Sequence, residues 1–399
     1  MADLSAFEPL YPEERVLGPL LELAGAVSHE AAGLGSDAGR PVAAALRPWL
    51  RAMNSYYTNK LEGQHTRPSD IERALHRKFD ADKKLARKQR LAVTHMAAEE
   101  QLEAGPRPVA PRDLFSSAYV REIQRVLYEG LPSADRVTDE GEPIPPGEYR
   151  QRDVTAGHHL APPHADVAEF VDGWARVYSH LAGREALVVA AACSHQRLTW
   201  IHPFIDGNGR TARLHSHLLL HKLDLTHGLW SPMRGLARTQ DAYYARLNNA
   251  DLPRRNDLDG RGALSQEGLV AFATYFLDLC LDQVRFMRDR LDLAALKAHL
   301  QSLLTSLEER PWQVGSERSV IKSEALEALH YVAIAGPVER SRFVAMTGLG
   351  GRTGRRVLAS LLDYGILEAQ SPRAPVGFAL PLNSLRFVFP NLWPEAEVD

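Results

Sequence analysis

"HPFIDGNGRTAR", His202 to Arg213, places one histidine, one carboxylate, two glycines around an asparagine and two arginines in a single short run. Glycines without side chains let backbone N–H groups approach an anion, and Arg210 and Arg213 add positive charge, so the run reads as a polyphosphate cradle. Asp206 has no place beside phosphate unless a cation stands between them, which implies Mg2+. His202 is then the natural proton acceptor. A rival pattern shares these residues: Gly207-Asn208-Gly209-Arg210-Thr211-Ala212 satisfies G-x-G-x-x-A, the dinucleotide-binding fingerprint. The residues before the glycines decide between the two folds. A dinucleotide turn must leave a buried strand, whereas "EALVVAAACSHQRLTWI" (185–201) spaces Leu187, Ala190, Ala191, Leu198 and Ile201 as a helix does, over a helix's length. No β-α-β alternation follows, so the fold class is mainly α.

Helical periodicity extends outward from the motif. "VLGPLLELAGAVSHEAAGL", "VAAALRPWLRAMNSYYTNKLEG" and "PSDIERALHRKFDADKKLARKQRLAVTHMAAEEQL" (68–102) make an N-terminal helical region over 1–104. Ser69 and Glu72 have capping-box spacing. "AGPRPVAPR" (104–112) reads as a linker, and residues 111–295 as the core. Within the core, "PSADRVTDEGEPIPPGEYRQRDVTAGHHLAPP" (132–163) is turn-rich and predicts a surface β-hairpin. From about residue 316 the pattern becomes three short helices, "SVIKSEALEALHYVAIAG", "ERSRFVAMTG" and "RTGRRVLASLLDYGIL", followed by two short strands. That order predicts a small C-terminal winged helix-turn-helix (α+β) domain over 310–390. Arg352, Arg355 and Arg356 open its third helix, where DNA or a protein partner could be met.

Composition bounds the partners. The 399 residues carry 47 Lys+Arg against 50 Asp+Glu, a formal net charge of −3, so no global pull toward nucleic acid or anionic membrane exists. Cys193 and Cys280 lie inside apolar helical patterns and are expected as buried free thiols. The first residues lack a basic start and an apolar core, and no run reaches membrane-spanning length. A cytoplasmic protein without membrane contact is expected; a homodimer stays open.

The run His202–Arg213 resembles the signature of the Fic family, H-x-F-x-[DE]-G-N-G-R-x-x-R, with every fixed position filled. The resemblance covers roughly residues 54–280. It implies a Fic-type helical core with a hairpin flap, transferring AMP from ATP to a Ser, Thr or Tyr hydroxyl of a target protein docked at the flap. By the same resemblance His202 is the base, Phe204 pins the loop into the core and Asp206 is the Mg2+ ligand. Gly207, Asn208 and Gly209 form the anion hole, Arg210 holds the β-phosphate and Arg213 the γ-phosphate. The chemistry agrees: a hydroxyl attacking the α-phosphate needs a base near neutral pKa, and departing pyrophosphate needs spread positive charge.

"TNKLEG" (58–63) resembles the family's inhibitory motif, [ST]-x-x-x-E-[GN], on a helix over about 54–63. Thr58 and Glu62 share a helix face, and Gly63 stands where a C-terminal cap is wanted. The resemblance implies that Glu62 pairs with Arg213, displaces the γ-phosphate and holds the protein switched off. Among the remaining candidates, Tyr243 or Tyr244 could stack on adenine, and Tyr244 is the preferred ligand-binding residue. His158 and His159 in the flap fit no pattern. His217 and His221, four apart, could ligate metal, but no third ligand is evident, so a structural role is expected. Arg73 to Arg90 reads as a solvated helix face.

Two classes of function fit: an autoinhibited protein adenylyltransferase, or a nucleotide-sensing DNA-binding regulator. De-AMPylation and other nucleotidyl or phosphocholine transfers are variants of the first. His202 favours the enzyme, since a sensor needs a cradle but no base. Glycine at 207 argues against the kinase-like variant, which carries lysine there.

Overall fold

The structure, a computed structural model, describes residues 3–35, 39–105, 110–157, 159–312 and 319–397. Positions 106–109 of the expected linker and His158 of the expected hairpin lie outside them. The protein is mainly helical. It divides into two compact units, Met1–Gly33 with Arg51–Thr66 and Arg73–Arg285, and Leu34–Leu50 with Arg67–Glu72 and Phe286–Asp399. The expected N-terminal region is therefore shared between the units.

The first unit is organised around helix Arg184–Ile201. Its residues from Val188 to Cys193 have no exposed surface, because the run is apolar on every side and a helix of that kind is stable only when surrounded. It packs on Asn208–Lys222, also buried along most of its length. Helices Lys83–Glu103, Ser117–Glu129 and Val167–Ser179 complete this core. Ser116 caps one of them, accepting from the Tyr119 N–H at 3.2 Å. Cys193 and Cys280 are buried free thiols.

The long stretch 68–102 is not one helix. It forms Pro68–Leu75 and Lys83–Glu103, with Asp82 capping the second through the N–H groups of Lys84 and Leu85. The strong cap in "DADKK" outweighs continuous periodicity. Two expectations change with it. Ser69 sits inside the first turn, after Pro68 in the position proline favours, and is not the N-cap. Arg73 to Arg90 is no single helix face: Arg87 donates to the Val137 carbonyl and Arg90 pairs with Asp135.

The flap region carries an antiparallel pair, Thr155–Ala156 with His159–Leu160. In the second unit, a 3-10 turn Ser323–Ala325 leads into Leu326–Ala335, followed by Arg340–Met346 and Gly351–Asp363. Strands Leu367–Glu368 and Gly377–Phe378 then pair antiparallel. Residues 34–50 belong to this unit, where the Trp49 indole N–H donates to the Leu380 carbonyl at 2.5 Å. Arg352, Arg355 and Arg356 are exposed at the start of Gly351–Asp363. Among the described residues, no helix is long and apolar enough to cross a membrane.

Candidate active site

The motif is the turn between the two most buried helices. Arg184–Ile201 closes at His202, in a left-handed conformation with φ 51°, and Asn208–Lys222 opens after Gly207 with φ 83°. A Cβ on Gly207 would stand 2.6 Å from Cε2 of Tyr128, so glycine is required both by conformation and by space. Asn208 clamps the loop between them. Its Oδ1 accepts from the Phe204 N–H and its Nδ2 donates to the Phe204 carbonyl, both at 2.8 Å. Phe204 itself is fully buried, 5.7 Å from the Tyr149 ring. The loop is thus fixed, and the first-turn N–H groups of Asn208–Lys222, which lack intrahelical partners, are held at its edge.

Charge is arranged around that helix start. Asp206 Oδ1 accepts from the Gly207 N–H at 2.6 Å, and both its oxygens lie 3.3 Å from the Arg210 guanidinium. Arg210 also donates to the Tyr128 hydroxyl at 2.6 Å and lies over the Tyr128 ring. Arg213 is almost fully buried. Its Nε donates to Thr58 Oγ1 at 2.7 Å, and its Nη2 donates to the Thr58 carbonyl at 3.2 Å and to the Glu62 carboxylate. Burial works against the Arg213 charge, but Glu62 and the neighbouring tyrosines hold its pKa above the usual arginine value.

Thr58 and Glu62 reach Arg213 because both lie on one side of the end of helix Pro41–Leu61, which Gly63 terminates at φ 71° with its N–H on the Lys60 carbonyl. Glu62 also covers the helix start: a Cβ on Gly209 would run into its Oε1. Tyr244, the expected base-stacking residue, lies beside the end of the same helix. Its hydroxyl donates to the Leu61 carbonyl at 2.7 Å, tying the neighbouring helix Gln240–Ala250 to that end.

His202 stands with its Nδ1 3.4 Å from the Thr199 carbonyl. A carbonyl only accepts, so this contact favours the Nδ1–H tautomer and leaves Nε2 with a lone pair. Burial, set against the Thr199 contact and reinforced by His159 and Arg150, lowers its pKa to about 4. At neutral pH the imidazole is uncharged and able to take a proton.

Several residues that hold this arrangement are not visible in the motif. Arg150, buried, donates from Nε to the His202 carbonyl at 2.9 Å and from Nη2 to the Pro162 carbonyl at 2.5 Å, joining the motif loop to the flap. Gln124 donates to the Asp206 carbonyl at 3.4 Å and accepts from the Gly147 N–H at 2.5 Å. Tyr128 shapes the space beside Gly207. In the sequence, Arg150 is one of several loop arginines and Tyr128 one of many apolar-face aromatics.

Three histidines held below their usual pKa make stability pH-dependent. Burial is the main cause holding His195 at about 3, beside Arg213 and His215. It likewise holds His215 at about 4, against the Leu114 carbonyl contact, and His202 at about 4, with His159, Arg150 and Glu62 nearby. These folded values lie below the unfolded ~6.5. The unfolded chain therefore binds protons first as pH falls, and stability drops between roughly pH 6.5 and 4. Each histidine contributes up to about 1.4 kcal/mol per pH unit, so urea unfolding should report a loss of at least about 2 kcal/mol between pH 6.5 and 5. Stability that stays level or rises over that interval would contradict the buried neutral state.

Known proteins resemble this chain at the same place. Residues 114–220 match the Fic/DOC family. Proteins named Protein adenylyltransferase Fic from Drosophila erecta and Drosophila melanogaster are each 33% identical over 33% of this chain, and over 26% and 27% of their own lengths. The chain thus spans about a quarter of the length of these curated relatives. A solved structure of a Fic family protein from Desulfovibrio desulfuricans G20 superposes with a TM-score of 0.54 at 17% identity, covering 94% of this chain and 99% of that one. That likeness is one of fold.

Proposed function

We propose that this chain is a protein adenylyltransferase of the Fic/DOC family that moves AMP from ATP to a target hydroxyl and is held off by Glu62. The observation that carries this reading is an uncharged histidine and two buried arginines gathered at one glycine-lined helix start, with a carboxylate over it. His202 Nε2 takes the proton of the incoming hydroxyl. The hydroxyl oxygen bonds to the α-phosphorus, the bond from that phosphorus to the bridging oxygen breaks, and pyrophosphate leaves. The helix-start N–H groups and Arg210 hold the charge that moves onto the leaving group, and Arg213 holds the γ-phosphate once Glu62 withdraws. Asp206 suits Mg2+, which is commonly bound through one carboxylate plus phosphate oxygens, and the Asp206 side chain is 35% exposed. When bound, Mg2+ supplies charge neutralisation across the phosphates.

The acceptor is a protein segment laid along the flap. Leu160, 72% exposed at the end of its strand, offers an apolar contact there, and the short pair can extend by backbone hydrogen bonding. A second reading, a nucleotide-sensing DNA-binding regulator, draws on the exposed Arg352, Arg355 and Arg356 of a domain with winged-helix element order.

The test incubates the full chain and its Glu62→Gly variant with Mg2+ and ATP labelled at either the α- or the γ-phosphate. Cell extract supplies acceptors. Covalent label from the α position alone supports AMP transfer. Label from the γ position alone makes the protein a kinase, and no label from either with ATP bound favours the sensor.

A further inference from the structure

A second constellation lies farther along the helix that carries Arg210 and Arg213. Asn208–Lys222 bears His217 and His221 four residues apart, and Lys83–Glu103 bears His95, Glu99 and Glu103 at the same spacing. Side chains four apart share a helix face, and the two faces meet inside the first unit. His217 Nε2 lies 2.9 Å from Glu103 Oε1 and 3.7 Å from Glu99 Oε1. His221 Nδ1 lies 3.8 Å from Glu103 Oε1. The carboxylates beside His217, out of reach of a sequence reading, come from a helix more than a hundred residues earlier.

We infer that Glu99, Glu103 and His217 form a binding site for one divalent transition-metal ion. Their donor atoms all lie within 4.8 Å of one another, and all three residues are buried. Donors about 2.0 to 2.2 Å from a shared ion stand roughly 3 to 4 Å apart, so the observed separations need only small rotations. Two helices each offering inward carboxylate and imidazole groups are a recurrent way to build a metal site in a helical core.

An independent observation marks a missing ligand. His95 is 1% exposed, and neither of its ring nitrogens has a hydrogen-bond partner; its Nδ1 faces Glu99 Oε2 at 3.9 Å, and that oxygen also has none. A buried imidazole and a buried carboxylate oxygen left unpaired side by side are costly, and a bound ion with its water supplies what both lack. The other oxygens are already oriented as outer-shell partners orient metal ligands. Asn54 Nδ2 donates to Glu99 Oε1 at 2.7 Å, and Arg51 donates to Glu103 Oε2 at 2.7 and 3.2 Å. A mixed imidazole and carboxylate set suits Zn2+ and its transition-metal neighbours rather than Mg2+, which prefers oxygen.

The site is also placed to matter for the proposed switch. Asn54 and Arg51 belong to the helix that carries Thr58 and ends just before Glu62, and His217 lies one turn beyond Arg213. An ion there would fasten that helix to the phosphate-binding one.

The experiment uses the untagged full chain, stripped with a chelator, desalted and then equilibrated with Zn2+. Metal content should reach about one zinc per chain, and Co2+ in its place should give visible d–d absorption. Glu99→Gln keeps the shape and still accepts from Asn54, so it should fold yet bind zinc at least about 100-fold more weakly. His217→Gln should do the same, while Asp206→Asn should retain the zinc. Circular dichroism checks that each variant is folded. The inference is overturned if the wild type retains no zinc and gives no cobalt spectrum, or if folded Glu99→Gln and His217→Gln bind zinc as the wild type does.

Discussion

Replacing Glu62 with glycine should raise the initial rate of AMP incorporation by at least one to two orders of magnitude. Arg213 donates to Glu62 and to Thr58 in the structure. Removing Glu62 frees part of the guanidinium and clears the space over Gly209, where the carboxylate now lies. A charge-assisted hydrogen bond contributes about 1.5 to 3 kcal/mol, and each ~1.4 kcal/mol is a factor of ten in rate. The gain comes from geometry as well as affinity, because a γ-phosphate seated on Arg213 sets the α-phosphate in line with the incoming hydroxyl. The double variant Glu62→Gly with Arg213→Ala should lose most of the gain. Rates for the wild type, both single variants and the double variant, at matched ATP and Mg2+, decide the matter. If Glu62→Gly binds ATP but is no faster than the wild type, Glu62 is an ordinary ion-pair partner and the switch does not exist.

His202→Ala should lower transfer by about 10²- to 10⁴-fold, the usual contribution of a positioned general base. ATP affinity should change little, since the proposed cradle is made of Gly207 to Gly209, Arg210 and Arg213. The loop should survive the substitution as well. Its position is fixed by the Asn208 clamp on Phe204 and by Arg150, which bonds the backbone carbonyl of residue 202 and not its side chain. Measured in the Glu62→Gly background, the loss should appear in kcat. A variant that binds ATP and transfers AMP at the parental rate would remove His202 from the chemistry. The acid limb of the rate profile is a second signature: a base held near pKa 4 by burial keeps the free enzyme competent well below pH 6.5, and activity falls only as His202 takes up its proton.

The sequence by itself determined what depends on near neighbours along the chain. Leu187, Ala190, Ala191, Leu198 and Ile201 are spaced as a helix spaces them, which argued against a strand before Gly207. The glycines, Asn208, Asp206 and the arginines lie within one loop and the first turns of the following helix, so their grouping needs no folding to be read. Thr58, Glu62 and Gly63 are legible for the same reason: spacing along one helix gives a shared face and an end.

Only the tertiary structure decided which faces meet. Tyr128 closes on Arg210 across 82 residues, and Glu62 finds Arg213 across 151. Arg150 ties the His202 backbone to the flap, and the Tyr244 hydroxyl anchors a helix end. The break between Leu75 and Lys83 sets the start of the helix that carries Glu99 and Glu103 toward His217. Periodicity tells which side of a helix is apolar, but the partner of a buried polar group depends on rotation and register between helices, and packing of the whole core sets both.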